Sequence, residues 1–187
     1  MKIDKGKKTL ILIHNNSDPD AVGSAFFLKN RFGRSASTPG KPDKSGSNLA
    51  DFLGMHIRYS MPDDYEQLII LDTPEPKQLE PFSFDEEDAL IIDHHKSGNW
   101  KVEVDYFDRT SCAEIVFELI EPEDLSKKET VALIAGIITD TSNLSRGDAN
   151  TFKTLSRILE LNEITLNEVR KIISEDRSYS EKIARLK

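Results

Sequence analysis

Three short apolar runs in the first half of the chain each stop on a side chain that can hold a metal ion or carry a proton. Leu10-Ile-Leu-Ile13 runs into His14, with Asp18 and Asp20 close behind; Leu68-Ile-Ile-Leu71 runs into Asp72; Ala89-Leu-Ile-Ile92 runs into Asp93-His94-His95. Runs of this length and composition read as buried strands. In open α/β sheets the ligand crevice lies beyond the carboxyl ends of the strands, so the three runs aim their polar ends at one edge.

Between the runs the chain alternates in character. Asp20 to Phe32 has a helical apolar face from Val22, Phe26, Phe27 and Leu28. Gly23 and Ser24 fall in its first turn, where a glycine marks a close approach to a ligand or a neighbouring strand. The Gly-, Ser- and Pro-rich stretch 34–48 reads as a loop around a short strand, followed by a helix over 47–53 and a strand over 57–60. The carboxyl-terminal half is helical. The capping pairs Ser111/Glu114, Ser126/Glu129 and Thr165/Glu168 open three helices, the first over 112–120 and the second ending near Asp140. Strand–helix alternation followed by helices predicts an α/β fold: a mostly parallel central sheet with helices on both faces and a helical carboxyl-terminal portion.

The 187 residues suit a single domain, with 37% hydrophobic and 31% charged residues. No apolar stretch reaches a membrane span, and the one cysteine, Cys112, excludes an internal disulfide framework; both point to a cytoplasmic protein. The formal net charge of −8 argues against a protein that coats duplex DNA. It leaves anionic substrates open, because bound cations can reverse the sign of a local site.

Of four histidines, His14, His94 and His95 all stand at strand ends. Imidazoles together with Asp18, Asp20, Asp72 and Asp140 make a mixed nitrogen and oxygen donor set. That set suits Mn²⁺, tolerates Mg²⁺ or Co²⁺, and lacks the thiolates of a structural zinc site. Two cations about 4 Å apart need an oxygen ligand between them, and Asp72 is placed to supply it. Each acidic turn alone also reads as a helix cap or turn; the joint pattern is what points to chemistry. Arg109 and Arg146 are candidates for holding substrate phosphate, although a plain surface role fits each of them as well. His56 has no partner nearby in sequence and receives no role.

The segment His14-Asn-Asn-Ser-Asp-Pro-Asp-Ala-Val-Gly-Ser-Ala25, then Leu71-Asp72, Ile92-Asp-His-His95 and Ala135-Gly-Ile-Ile-Thr-Asp-Thr141, together with Thr110-Ser-Cys-Ala-Glu114, resemble the ordered motifs of the DHH phosphoesterase superfamily. That group includes RecJ-type exonucleases, oligoribonucleases, cyclic-dinucleotide phosphodiesterases, exopolyphosphatases and family II pyrophosphatases. The resemblance implies that His14 and Asp18 hold one metal ion, that Asp20, His94 and Asp140 hold a second, and that Asp72 bridges. It implies that His95 faces the substrate phosphate or protonates the leaving oxygen, with Asp93 orienting an imidazole from behind. The expected activity is hydrolysis of a phosphate ester or diester of a small nucleotide or short oligonucleotide, with two divalent ions. The alternatives are hydrolysis of pyrophosphate or polyphosphate, and a non-catalytic nucleotide- or metal-binding module.

Two departures qualify the resemblance. Asn143-Leu-Ser-Arg146 puts serine where relatives carry arginine, with Arg146 one residue further on. The glycine-rich motif of the usual second, substrate-binding domain is missing. The chain is therefore expected to be a single DHH-type catalytic domain over 1–187, with residues 165–187 forming a helix that leads toward an absent second domain. A homodimer is compatible with the sequence, without any residue pointing to it.

Overall fold

The computed structural model describes residues 3–174, apart from 5, 33, 34, 97, 103 and 107. Six strands form one sheet: β1 (Thr9–Ile13), β2 (Ser35–Ser37), β3 (Ile57–Arg58), β4 (Gln67–Leu71), β5 (Ala89–Asp93) and β6 (Asp105–Tyr106). All pairings are parallel, in the order β3-β2-β1-β4-β5-β6. From β1 the chain first moves outward through β2 to β3, then returns to the other side of β1 for β4. The boundary between β1 and β4 is thus the point where strand order reverses, and such points open a crevice at the carboxyl edge. Register sharpens this. Ile13 pairs with Leu71 and Leu71 with Ile92, so His14, Asp72 and Asp93 each follow the same rung of the sheet.

Alternate strand residues feed two cores. Ile11, Ile13, Ile69, Leu71 and Ile92 face a large cluster to which α1 (Pro19–Phe32), α2 (Lys44–Leu53), α3 (Cys112–Ile120), α4 (Lys127–Asp140), α5 (Ala149–Leu161) and α6 (Leu166–Ile173) all contribute. Leu10, Leu12, Leu68, Ile70 and Ile91 face a smaller one with Leu79, flanked by Phe82, Phe84 and Trp100. The sequence reading places helices on both faces. The structure keeps that two-sided cover in lopsided form, with every described α-helix on one face and 3₁₀ turns and loops closing the other. Handedness accounts for it: connections that step in opposite directions from the centre must cross opposite faces. The β4–β5 crossover holds only the 3₁₀ turns Pro76–Leu79 and Glu86–Asp88.

The capping pairs open α3, α4 and α6 as read, with Ser111, Ser126 and Thr165 accepting from the amides of Glu114, Glu129 and Glu168. α2 begins three residues before its expected start, because Asp43 caps it by accepting from Gly46 N at 2.6 Å. β3 stops at Arg58 rather than Ser60. Helix α5 is absent from the sequence reading; its apolar stripe, Leu155 and Ile158, completes the large core behind a capping box at Asp148. Of the helix expected over 165–187 the structure describes α6, Leu166–Ile173, with Ser174 in extended backbone at its end; residues 175–187 lie outside the described ones.

Candidate metal centre

The site begins with the loop after β1. His14 Nδ1 lies 2.8 Å from the carbonyl of Asn15 and donates to it, which leaves Nε2 as the free lone-pair nitrogen. Asp18 accepts from the amides of Asp20 and Ala21 at 2.9 and 3.1 Å and so caps α1 while its carboxylate borders the crevice. One residue into the helix, Asp20 is fully buried. Its two oxygens accept from Cys112 N at 2.6 Å and Ala113 N at 2.8 Å. The amino-terminal turn of α3, with its exposed amide dipoles, therefore fixes this carboxylate from 92 residues away.

Two glycines make the placement possible. A Cβ on Gly23 would come within 2.3 Å of the carbonyl of Ala132, so α1 and α4 pack backbone to backbone. A Cβ on Gly136 would come within 2.4 Å of Asp20 Oδ1 and 2.8 Å of the Ala113 Cβ. The close approach expected at Gly23 is present, against a helix rather than a strand or ligand; the role of Gly136 has no signature in the sequence.

Asp72 follows β4 in left-handed backbone (φ 51°), with its amide donating to the carbonyl of Ile92 at 3.0 Å. A non-glycine residue there costs on the order of 1 kcal/mol or more, which the surrounding sheet sustains. The conformation turns the two carboxylate oxygens to different neighbours. Oδ1 lies 3.2 Å from His94 Nε2, and Oδ2 lies 3.9 Å from His14 Nε2. His94 Nε2 is also 3.0 Å from Asp140 Oδ2 and 3.9 Å from Asp20 Oδ2. Behind it, Asp93 Oδ1 accepts from the amides of His94 and His95 and from His95 Nδ1, the last at 2.7 Å.

Two donor sets result, sharing Asp72: Asp20, Asp72, His94 and Asp140 in one, His14, Asp18 and Asp72 in the other, with donor atoms in each set within 4.8 Å of one another. The fit to cations rests on the protein itself. Asp72 Oδ1 and His94 Nε2 are buried and lie 3.2 Å apart, yet neither makes a well-directed hydrogen bond, an arrangement that folded proteins reserve for special cases. The proton affinities tell the same story for the side chains alone. Burial, with Asp72 and Asp140 nearby, pushes Asp18 up to about 7. Burial and the same neighbours push Asp20 well up, and burial pushes Asp140 up in spite of His94. Asp72 ends below the usual carboxylate range: burial raises it, but the His94 hydrogen bond and the surrounding imidazoles outweigh that. Burial pulls His94 down, yet its bonds to Asp140 and Asp72 carry it up to about 11. Crowded carboxylates that hold protons are carboxylates awaiting a positive charge.

The structure thus brings together His14, Asp18, Asp20, Asp72, Asp93, His94, His95 and Asp140. The two arginines divide. Arg109 pairs with Glu118, with Nε 2.9 Å and Nη2 2.8 Å from Oε2. Arg146 is exposed and donates to the main-chain oxygen of Asp140 at 2.8 Å, beside the cluster. The sequence reading missed the amides of Cys112 and Ala113; the Ser111 capping box signals the helix start but not what its amides hold.

A family model described as the DHH family, N-terminal domain, matches residues 8–139. Among curated proteins, an uncharacterized protein of Methanocaldococcus jannaschii is 29% identical over 98% of this chain and 60% of its own length. A probable manganese-dependent inorganic pyrophosphatase of Streptococcus mutans is 25% identical over 72% of this chain and 48% of its own. Among solved structures, an exopolyphosphatase-related protein from Bacteroides fragilis superposes with a TM-score of 0.76 at 19% identity, covering 92% of this chain and 58% of that one. The chain thus spans about half to three-fifths of the length of these relatives.

Proposed function

The chain belongs to the DHH family, and from that premise we propose that it is a metal-dependent phosphoesterase, cleaving a phosphate ester or diester of a small nucleotide or short oligonucleotide. One observation carries the reading: Asp72 directs one oxygen toward His94 and the other toward His14, so a single carboxylate serves both donor sets. His14, Asp18 and Asp72 would hold one divalent cation and Asp20, Asp72, His94 and Asp140 the other, with manganese favoured by the mixed imidazole and carboxylate set. Such a pair supplies a water of lowered pKa and neutralises charge on phosphoryl oxygens.

The remaining work falls to the chain's own residues. His95 is more exposed than its neighbour, and its Nδ1 is committed to Asp93. That leaves Nε2 to carry the mobile proton. The Asp93 hydrogen bond raises the proton affinity of the ring, which suits a general acid that protonates the leaving oxygen. Asp93 never needs to meet substrate; it fixes the orientation of the ring. Arg146, anchored on the end of α4, is within reach of an anion at the cluster's rim.

A second reading, hydrolysis of pyrophosphate or polyphosphate, is favoured by the similarity to the probable manganese-dependent inorganic pyrophosphatase of Streptococcus mutans. Cleavage of bis-para-nitrophenyl phosphate and phosphate release from pyrophosphate, both with Mn²⁺, separate the two. The ester reading expects the first reaction to dominate; pyrophosphate turnover alone would replace it. Nucleotide binding without hydrolysis across a broad panel would reduce the protein to a binding module.

A further inference from the structure

Two clefts that take no part in the metal cluster adjoin each other at the free edge of the sheet. One, of about 550 Å³, lies between β3 and α2 and is lined by Lys41, Lys44, Asp51, His56 and Tyr59 among others. The second, of about 390 Å³, is lined by Lys8, Lys29, His56, Arg58, Asp64 and Tyr65. His56 is common to both, so they form one band around β3, which pairs with β2 alone.

The band is basic in an acidic protein. Five lysines and arginines line it against two aspartates, whereas the chain as a whole has 25 basic and 33 acidic residues. Lys8 pairs weakly with Asp64, at 3.8 Å and largely exposed. Lys29, Lys41, Lys44 and Arg58 make no ion pair among the described residues. The aromatic component is equally unspent: Tyr59 is 60% exposed, far more than a ring of its size gains from packing. Unpaired cations spaced along a groove, with rings between them, match the chemistry of a single-stranded nucleic acid, whose phosphates follow the cations while its bases stack.

The band also connects to the metal cluster. Lys41 and Lys44 flank the turn where Asp43 N donates to the carbonyl of Ser17 at 2.9 Å. A Cβ on Gly46 would meet that same carbonyl at 2.4 Å and the carbonyl carbon of Asp18 at 3.2 Å. The wall of the first cleft is therefore the strap that supports the loop carrying His14 and Asp18. We propose that the β3 edge is a binding tract for single-stranded oligonucleotide, running from the rim of the metal cluster past Lys41, Lys44, Tyr59 and Arg58. As a substrate assignment it rests on the phosphoesterase reading above; as a binding site it does not.

The test measures binding and hydrolysis separately. Fluorescence anisotropy of a labelled single-stranded dodecamer is followed in EDTA, where turnover cannot interfere, and hydrolysis of bis-para-nitrophenyl phosphate and pyrophosphate is followed with Mn²⁺. The double variants Lys41→Glu/Lys44→Glu and Lys29→Glu/Arg58→Glu should each weaken oligonucleotide binding by at least about tenfold, as should Tyr59→Ala. Each lost phosphate contact should lower the slope of log affinity against log salt by about 0.7. Small-substrate hydrolysis should be unchanged in all three, and their melting temperatures should match the wild type. Equal binding by wild type and variants, or no binding by either, overturns the tract while leaving the phosphoesterase reading intact. Self-association abolished by the same substitutions, with no oligonucleotide bound, would reassign the edge to a second copy of the chain. Intact binding with no hydrolysis of any substrate supports the tract and overturns the phosphoesterase reading instead.

Discussion

His95 Nδ1 stands 2.7 Å from Asp93 Oδ1, and that oxygen also accepts from the two amides that follow it. One carboxylate oxygen thus shapes the turn and aims the ring. Asp93→Asn removes the charge that holds the proton on His95. Hydrolysis should fall by roughly 10²- to 10⁴-fold, the usual worth of a positioned general acid. Because Asp93 raises the affinity of His95 for its proton, the alkaline limb of the rate profile should move to lower pH in the variant. A profile measured from pH 5 to 10 checks this; an unmoved limb would separate His95 from the proton-transfer step.

Asp72→Ala removes the oxygen pair shared by both donor sets. Supporting groups around a metal cost about 10- to 100-fold in affinity when removed, and a shared ligand should cost more than about 100-fold at both positions. Titration calorimetry with Mn²⁺ reads the loss directly. Two sites of undiminished affinity would show that the carboxylate bridges nothing.

Gly136→Ala should act on fold and site together. The added methyl meets Asp20 Oδ1 at 2.4 Å and Ala113 at 2.8 Å, an overpacking that costs about 1–3 kcal/mol. Relief requires Asp20 to leave the amides of α3. Thermal melts should show the destabilisation, and Mn²⁺ affinity should drop in the same protein; a melt lowered with cation affinity untouched would mean that the helices separate while Asp20 stays.

With cations removed by chelator, stability should fall as pH rises from about 4 to about 7. Asp18 binds its proton more tightly in the folded chain than in the unfolded one, so the folded state carries the extra proton across that window and loses the advantage as pH passes about 7. Asp20 and Asp140 shift in the same direction, and Asp72 opposes them. Mn²⁺ replaces the protons, so its apparent affinity should strengthen with pH over the same interval. Denaturation curves with and without Mn²⁺ at pH 5, 6, 7 and 8 test both halves.

How far the sequence could be read depends on where the information lies. The strand ends are legible because each ligand follows its own apolar run, and a parallel sheet gathers such ends on one edge without further instruction. The caps at Ser111, Ser126 and Thr165 are legible because partner and cap lie three residues apart. What escaped is non-local or belongs to the backbone. The donors to Asp20 are main-chain amides 92 and 93 residues away. Arg109 reads equally well as clamp or surface residue, and its pairing with Glu118, nine residues on in α3, shows only in three dimensions. Helix α5 hides because its burial is sparse, and the second face carries no described α-helix because the β4–β5 crossover, interrupted by Pro74, Pro76 and Pro81, forms only 3₁₀ turns.

The burial of Asp20 beneath the first turn of α3 has a kinetic corollary. Its carboxylate has no exposure at all, whereas His14 and Asp18 are partly open to solvent. A cation seated against Asp20 would sit on a carboxylate that cannot swing free while the first turn of α3 holds it, although His94 and Asp140 beside it are as open to solvent as His14. If two cations bind, the one whose carboxylate is locked to α3 should yield to a chelator more slowly than the one whose ligands sit on the loop after β1.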